Sequence, residues 1–267
     1  MSTILLIFSF IAGTIIGSFL NVVAIRFNTG KGINGRSRCM SCGNQLTWKE
    51  LIPIASYIIQ GGICRKCSGK ISWQYPLVEF ITGLLFLLVF IYFPPITAVS
   101  YWTTFILLFS TGLLVVMAVY DIKHKIIPDR FVYLFAALSF VNLFVGGVSW
   151  FHGTTLVAIL AGPILALPFV LIWYFSKGTW MGLGDSKLIL GIGWLLGFSA
   201  GLNALILSFW IAAIISITWL YATKGKFQPR TEIPFGPFLI TGFFLVLFFQ
   251  IQVIDMSFLK EIILSFF

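Results

Sequence analysis

The sequence has few charged residues. Only 9% of its 267 residues are Asp, Glu, Lys or Arg, and 59% are hydrophobic, whereas about a quarter of the residues in soluble domains are charged. Its long apolar segments also lack the polar outer face that a large soluble helical core requires. These deficits argue against a soluble domain, and the fold class that we predict is an all-α polytopic membrane protein.

The first apolar segment lacks the features of a cleaved signal peptide. No basic residue precedes it and no small-residue cleavage site follows it, so we expect a membrane anchor. A membrane span needs roughly 20 apolar residues, and on this basis we predict eight transmembrane helices. They lie at about 3–24, 77–93, 101–119, 131–148, 154–175, 186–200, 203–222 and 235–254.

Basic residues are absent from alternate connections between these segments. The connections around residues 94–95, 146–152 and 199–203 contain no Lys or Arg, whereas those at 26–76, 120–130, 176–187 and 223–234 are basic. The positive-inside rule makes the basic connections cytoplasmic and places the N-terminus outside. The net charge of +9 therefore indicates orientation among membrane lipids, and we expect no nucleic-acid partner. The predicted organisation is a first helix at 1–25, a cytoplasmic insert at 26–76 and a helical membrane domain at 77–267.

Cysteine occurs only in the insert. The two pairs, Cys39-x-x-Cys42 and Cys64-x-x-Cys67, have the spacing of knuckles that hold one zinc ion between four thiolates. A glycine follows each pair, at positions 43 and 69, where we expect the turn to need a permissive backbone. A disulfide and a redox Cys-x-x-Cys remain open as alternatives, although disulfides rarely persist in the cytosol. The interpretation that we favour is a closed, structural zinc site.

Acidic residues number only eight, so their positions are informative. Asp121 ends the third predicted span and Asp185 begins the sixth, both on the cytoplasmic side. Ionisable groups there are functional candidates, and the simpler alternative is that each is an interfacial acid paired with a nearby lysine. Two apposed carboxylates share a proton. The ionised one takes a proton from the water that attacks a peptide carbonyl, and the protonated one hydrogen-bonds the carbonyl oxygen.

Other residues near these carboxylates have simpler expected roles. We expect Asp129 to cap the helix that follows it, and Glu79 to pair with a basic residue of the insert. Gly182 and Gly184 carry no Cβ, so they would let a backbone or a substrate approach Asp185 closely.

The ordered set of motifs resembles the type IV prepilin peptidases, membrane aspartic proteases of the GxGD class. The matching segments are GSFLNVVAIR at 17–26, the cysteine insert with LIPI at 51–54 and YPLVE at 75–79, IPD at 127–129, GLGD at 182–185 with Lys187, and PFGP at 234–237. The resemblance covers most of the chain.

This resemblance implies a bifunctional enzyme of the bacterial cytoplasmic membrane. Such an enzyme cuts the leader from prepilins or pilin-like proteins at the cytoplasmic membrane face, and then methylates the new N-terminus with S-adenosylmethionine. Carried over by position, Asp121 and Asp185 are the catalytic pair, residues 77–267 are the peptidase domain, and Asp129 is not catalytic. The implied metal-binding set consists of Cys39, Cys42, Cys64 and Cys67. Neither the residues that bind S-adenosylmethionine nor the oligomeric state follows from the motifs.

Two other functions stay open at this point. An ion- or proton-coupled transporter with a regulatory zinc domain would also carry membrane carboxylates. Transporters, however, tend to place them at the bilayer midplane and to contain internal repeats, and the sequence displays neither feature. A membrane thiol oxidoreductase would use the Cys-x-x-Cys pairs, but it leaves the aspartates unexplained.

Overall fold

The described part of the chain is helical. The computed structural model describes residues 3–30, 32, 35–144, 155–222 and 233–254. Within these ranges the chain forms nine α-helices, one short 3-10 helix and no β-strand. It divides into two compact units, Met1–Val119 and Tyr120–Phe267. The predicted all-α fold class is confirmed.

The helices follow the apolar segments, because a helix satisfies its own backbone hydrogen bonds where lipid supplies no partner. Their bounds are Thr3–Arg26 (α1), Ala55–Ile59 (α2), Gln74–Tyr92 (α3), Ala98–His124 (α4), Asp129–Asn142 (α5), Thr155–Ser176 (α6), Leu183–Leu196 (α7), Phe198–Ala222 (α8) and Gly236–Phe249 (α9). Every predicted span overlaps one of these helices. Five of them, α1, α3, α4, α6 and α8, contain a stretch long and apolar enough to cross a bilayer. The number of eight crossings stays a prediction, and residues 145–148 of the fourth predicted span lie outside the described ranges.

In the first unit, α1 and α3 pack closely through small residues. A Cβ added to Gly13 would lie only 2.7 Å from the Cβ of Phe86 on α3. Such small residues let two helix backbones approach in a membrane, where van der Waals contact drives association. The buried Asn21 adds a polar link, because its side-chain amide donates to the carbonyl of Tyr75 at 3.3 Å. These contacts hold the two ends of the insert next to each other.

In the second unit, α7 packs against α5, α6, α8 and α9. The backbones of α7 and α6 approach closely, since a Cβ on Gly193 would lie 2.7 Å from the Cα of Gly162. A second contact between these helices is polar. Pro163 lies inside α6 and cannot donate to the carbonyl of Ile159, four residues earlier. The indole N–H of Trp194 on α7 donates to that carbonyl instead, at 2.9 Å.

The end of α7 differs from the predicted span boundaries. α7 ends at Leu196 and α8 begins at Phe198, with Gly197 between them at a φ of 79°. This left-handed conformation suits glycine and turns the chain in one residue. The predicted connection around residues 199–203 is therefore wrong, because these residues lie in the first two turns of α8. The buried Asn203 of α8 accepts hydrogen bonds from the backbone N–H groups of Val253 and Ile254, at 2.7 and 2.8 Å.

Candidate functional site

Asp121 lies in the last turns of α4 and is buried, with 4% of its surface exposed. Its Oδ2 atom accepts a hydrogen bond from the backbone N–H of Gly236 at 3.1 Å. Gly236 is the first residue of α9, and the first N–H groups of a helix have no partner within the helix itself. The start of α9 therefore supplies a donor that orients the Asp121 carboxylate.

Asp185 lies in the first turn of α7, which follows Gly182 at the N-cap. Gly184, the residue before it, lies against Ile127, and Ile127 also lies against Gly236, whose N–H binds Asp121. Both residues belong to the second unit, so the structure brings together two acids that are 64 positions apart in the sequence. The end of α4, the start of α7 and the start of α9 thus meet at one place.

The two glycines before Asp185 differ in their surroundings. A Cβ on Gly184 would lie 3.0 Å from the Cβ of Ile127, so the space beside Gly184 is taken by this protein's own turn before α5. A Cβ on Gly182 would lie 3.6 Å from the Asp185 carboxylate, an ordinary contact distance. The prediction that a backbone approaches closely therefore applies to Gly184, but the approaching segment belongs to the same chain. Ile127 also lies against Gly236, and it links α7 to α9.

Asp129 does not have the predicted capping role. It is the first residue of α5, the N-cap position is held by Pro128, and the helix start has no side-chain cap. The Asp129 carboxylate instead accepts from the ammonium group of Lys187 on α7 at 2.6 Å. Lys187 also lies over the ring of Tyr133, 4.7 Å from its centroid. The simpler interpretation of Asp185, as an acid paired with Lys187, is therefore not supported, because Lys187 pairs with Asp129.

Glu79 also differs from expectation. Its carboxylate accepts from the backbone N–H of Ile54 at 2.7 Å, and this donor replaces the basic side chain that was predicted. Glu232, Asp255 and Glu261 lie outside the described ranges.

The four cysteine side chains of the insert form one cluster. The sulfur atoms of Cys39, Cys42, Cys64 and Cys67 all lie within 4.8 Å of one another, and those of Cys39 and Cys67 are 3.9 Å apart. A tetrahedral zinc ion with bonds of about 2.3 Å to sulfur places its ligands about 3.8 Å from each other. A disulfide needs a separation of about 2.05 Å. The arrangement is compatible with a bound metal ion.

The two pairs have the same backbone hydrogen bonds. The N–H of Cys39 donates to the carbonyl five residues later at 2.8 Å, and the N–H of Cys64 does so at 2.9 Å. In the first knuckle the residue with a left-handed backbone is Gly43, as expected, but in the second it is Ser68. Gly69 is instead required for proximity, because its Cβ would lie 2.9 Å from the hydroxyl of Ser41 in the other knuckle. The prediction that the turn needs a permissive backbone at Gly69 is therefore wrong, because Ser68 has that conformation.

The electrostatics of the cluster suit thiolate ligands. The backbone N–H groups of Cys42 and Ser41 lower the pKa of the Cys39 thiol to about 6. The N–H of Gly69 acts in the same direction on Cys67, but the neighbouring sulfur atoms outweigh it and raise the pKa of Cys67 to about 12. Four thiols at this distance do not all ionise without a cation between them.

Gly236 is the site residue whose role the sequence did not reveal. The PFGP run at 234–237 was recognised as a motif, but nothing in the sequence connected it to Asp121, which lies 115 positions away. A glycine at the start of a helix, followed by a proline in its first turn, is the signal that a backbone donor is exposed at this point.

Comparison with known proteins gives consistent matches. The model described as "Bacterial Peptidase A24 N-terminal domain" matches residues 11–93, and the model described as "Type IV leader peptidase family" matches residues 108–217. Among similar curated proteins, a prepilin leader peptidase/N-methyltransferase of Bacillus subtilis (strain 168) is 32% identical over 87% of this chain and 90% of the relative. One of Aeromonas hydrophila is 33% identical over 86% of each. One of Myxococcus xanthus (strain DK1622) is 33% identical over 85% of this chain and 66% of the relative. No solved structure matches the chain.

Proposed function

This chain belongs to the type IV leader peptidase family, and we propose that it cleaves prepilin leaders with the carboxylates of Asp121 and Asp185 and then methylates the new N-terminus. The enzyme is a multi-pass membrane protein and a prepilin leader peptidase/N-methyltransferase, as its relatives are named. The transporter interpretation has no support among these relatives. Its substrates are prepilins or pilin-like proteins of the bacterial inner membrane.

The observation that carries this proposal is that Asp121 and Asp185 lie on either side of the contacts between Ile127, Gly184 and Gly236, where the Gly236 N–H binds Asp121. Asp121, which accepts the N–H of Gly236, acts as the ionised base and removes a proton from a water molecule. That water attacks the carbonyl carbon of the scissile peptide bond. Asp185 is protonated, donates a hydrogen bond to the carbonyl oxygen, and later helps to protonate the leaving amine. Each step uses a proton that the pair shares.

The site lies at helix ends, which suits the substrate. Asp121 ends a long apolar helix and Asp185 begins another, so a dyad there is level with the membrane boundary. A prepilin presents its scissile bond between a basic leader and an apolar helix. The charge distribution of the connections supports a cytoplasmic position for this dyad and an external N-terminus. The substrate would then be cut without leaving the bilayer.

Zinc is the metal that the cysteine cluster fits best. Four thiolates in tetrahedral geometry form a closed site with no open position for catalysis. Cys39, Cys42, Cys64 and Cys67 would hold the ion, and the ion would organise residues 26–76 as a structural domain. The helical membrane domain at 77–267 would then contain the peptidase machinery.

S-adenosylmethionine is the methyl donor that the family implies. The described helices and the insert contain no strand followed by a glycine-rich loop and a helix, the unit that commonly binds nucleotides. The described residues therefore do not form a recognisable binding site for S-adenosylmethionine. The cleavage chemistry above does not involve this cofactor.

Substitution of the two aspartates tests the dyad. In purified enzyme given a pilin-like substrate, Asp121→Asn and Asp185→Asn should each reduce leader cleavage by at least about 10³-fold, because each removes a proton-transfer group. Asp129→Asn is the matched control and should retain cleavage within about tenfold, since Asp129 pairs with Lys187. Substantial cleavage by either dyad variant would refute the proposal.

Methylation and metal content are measured separately. A substrate that already lacks its leader reports methyl transfer in the dyad variants, which should keep this activity.

A Cys39→Ser and Cys42→Ser double variant should lose bound zinc, and an unchanged zinc content would exclude the cluster as a metal site.

A further inference from the structure

The insert exposes large apolar side chains outside the helices that are long enough to span a membrane. Ile58 and Ile59 of α2 are each 70% exposed, and Trp73 is 75% exposed. Trp73 lies beside α2, because its ring contacts that of Tyr57 with centroids 5.2 Å apart. Ile52, just before the turn into α2, is 43% exposed. We call Ile52, Ile58, Ile59 and Trp73 the insert apolar face.

The insert apolar face lies level with the first turns of a membrane-spanning helix. Trp73 immediately precedes α3 at its N-cap. The N–H of Ile54 binds the carboxylate of Glu79, which is five residues inside α3 and buried. Five residues of helix correspond to about 7.5 Å along the axis. The segment from Ile52 to Ile59 therefore lies beside the start of α3 and does not project away from the membrane.

The backbone N–H groups in the turn before α2 have hydrogen-bond partners within the protein. Ile54 has a φ of 59° and a ψ of −53°, the values of a tight three-residue turn that is strained for a β-branched residue. The N–H of Ala55 donates to the carbonyl of Pro53 across this turn. The N–H of Ile54 points outward from the turn and binds the carboxylate of Glu79. A turn whose backbone N–H groups have partners within the protein can lie against acyl chains without leaving a donor unsatisfied.

The insert that carries the insert apolar face is strongly positive. Residues 26–76 contain eight basic residues and one acid, Glu50. The Glu50 carboxylate accepts from the backbone and the hydroxyl of Thr47. The side chains of Lys49, Arg65, Lys66 and Lys70 are exposed. A zinc ion with four thiolates would add two negative charges and still leave the insert basic. A strongly basic segment that also exposes tryptophan and isoleucine side chains is typical of surfaces that bind anionic lipid headgroups.

We propose that residues 52–59 and Trp73 enter the headgroup region of the cytoplasmic leaflet and bind anionic phospholipid. Ile58, Ile59 and Trp73 contact the upper acyl chains, and the neighbouring lysines and arginines contact the phosphates. Glu79 has a structural part in this interaction, because its carboxylate holds the turn that presents α2 to the leaflet. The interaction is a property of the membrane-embedded chain and is independent of the catalytic pair.

Site-specific photocrosslinking tests the contact directly. The photoreactive amino acid p-benzoylphenylalanine replaces Ile59 in the full-length protein, which is placed in nanodiscs of phosphatidylglycerol and phosphatidylcholine. We expect a protein adduct with the mass of one phospholipid. Met40, which is 74% exposed in the first knuckle, carries the same probe as a matched control for non-specific labelling, and its yield should be at least about tenfold lower. Crosslinks from position 59 to another segment of the chain, to a pilin-like substrate or to no lipid would overturn the proposal.

Lipid dependence tests the charge requirement. Hydrogen exchange of the amides at 55–60 should be at least about tenfold slower in nanodiscs with phosphatidylglycerol than in those with phosphatidylcholine alone. The double variant Ile58→Ser and Ile59→Ser should lose this difference while the amides of α3 keep their protection, which shows that the unit is still folded. Equal exchange of the wild-type segment in both lipids would overturn the proposal of an anionic-lipid site.

Discussion

Gly236→Ala tests whether the start of α9 orients the carboxylate of Asp121, the proposed base. A Cβ at this position would lie 2.7 Å from Oδ2 of Asp121, the atom that accepts the Gly236 N–H at 3.1 Å. Ordinary contact begins at 3.4 Å, so the carboxylate or the helix start must move by about 0.7 Å. The backbone of Gly236 is not left-handed, so alanine can adopt it, and the only other tight contact is with the flexible end of Ile127, whose Cδ1 would lie 3.2 Å away. The added methyl group therefore disturbs the carboxylate without straining the backbone.

The expected magnitude follows from this displacement. Misplacing a catalytic group by about 1 Å costs about 100-fold in rate, and loss of a positioned donor costs about 10²–10³-fold. We expect kcat for leader cleavage to fall by about 100-fold, equivalent to about 2.7 kcal/mol of activation free energy. KM should change by less than about threefold, because the substitution alters the orientation of the base and leaves the substrate contacts in place.

The assay compares purified full-length variants in nanodiscs with a pilin-like substrate, under steady-state and single-turnover conditions. Gly112→Ala is the matched control, because its Cβ would meet no atom nearer than a side-chain carbon of Leu20 at 3.8 Å, and alanine favours a helix. It should retain full activity. Thermal melting of both variants shows whether they are folded. Cleavage by folded Gly236→Ala within about threefold of the wild-type rate would refute the positioning role of Gly236.

Four further predictions concern stability and metal content. Asn203→Leu removes the acceptor of two backbone N–H groups, so the free energy of unfolding should fall by about 2 kcal/mol, and an unchanged thermal melting temperature would contradict this. Gly193→Ala places a methyl group against the backbone of α6 and should cost about 1–3 kcal/mol, as measured by the same melting assay; wild-type stability would mean that the two helices can separate freely. Lys187→Met breaks a partly exposed ion pair and should cost less than about 1 kcal/mol, and a larger loss in thermal melting would assign the pair a structural role. A strong chelator should remove one metal ion per chain and make the insert sensitive to protease, whereas an insert that stays resistant after metal loss would show that the ion does not organise it.

The positions of the helices were predictable because every segment within lipid must satisfy its own backbone hydrogen bonds. A run of about 20 apolar residues must form a helix to satisfy its backbone, and all eight predicted spans overlap observed helices. The boundary at Gly197 was not predictable by this rule. A single glycine in a left-handed conformation separates these two apolar helices. Hydropathy along the sequence therefore does not fall at the position where the chain turns.

Partners of the charged side chains were predicted less well. Asp129 and Glu79 were assigned by local proximity in the sequence, to a helix cap and to a basic residue. Their partners, Lys187 and the N–H of Ile54, are set by which helix ends meet in space. The same limit applies to Gly236, whose contact with Asp121 depends on tertiary packing. The assignment of Asp121 and Asp185 as the catalytic pair came from topology and resemblance, and it stays a prediction that the observed proximity supports.

The hydrogen bond from Trp194 to the carbonyl of Ile159 fixes the position of α7 along α6. Pro163 frees that carbonyl, and the indole has a single N–H, so only one sliding position of α7 along α6 makes the bond. Trp194 is nine residues beyond Asp185, about 14 Å along the helix axis. The position of the Asp185 carboxylate along α6 is therefore fixed by a contact about 14 Å away from it. Adding one residue to α7 between these positions would raise the carboxylate by about 1.5 Å and rotate it by about 100°, away from Asp121.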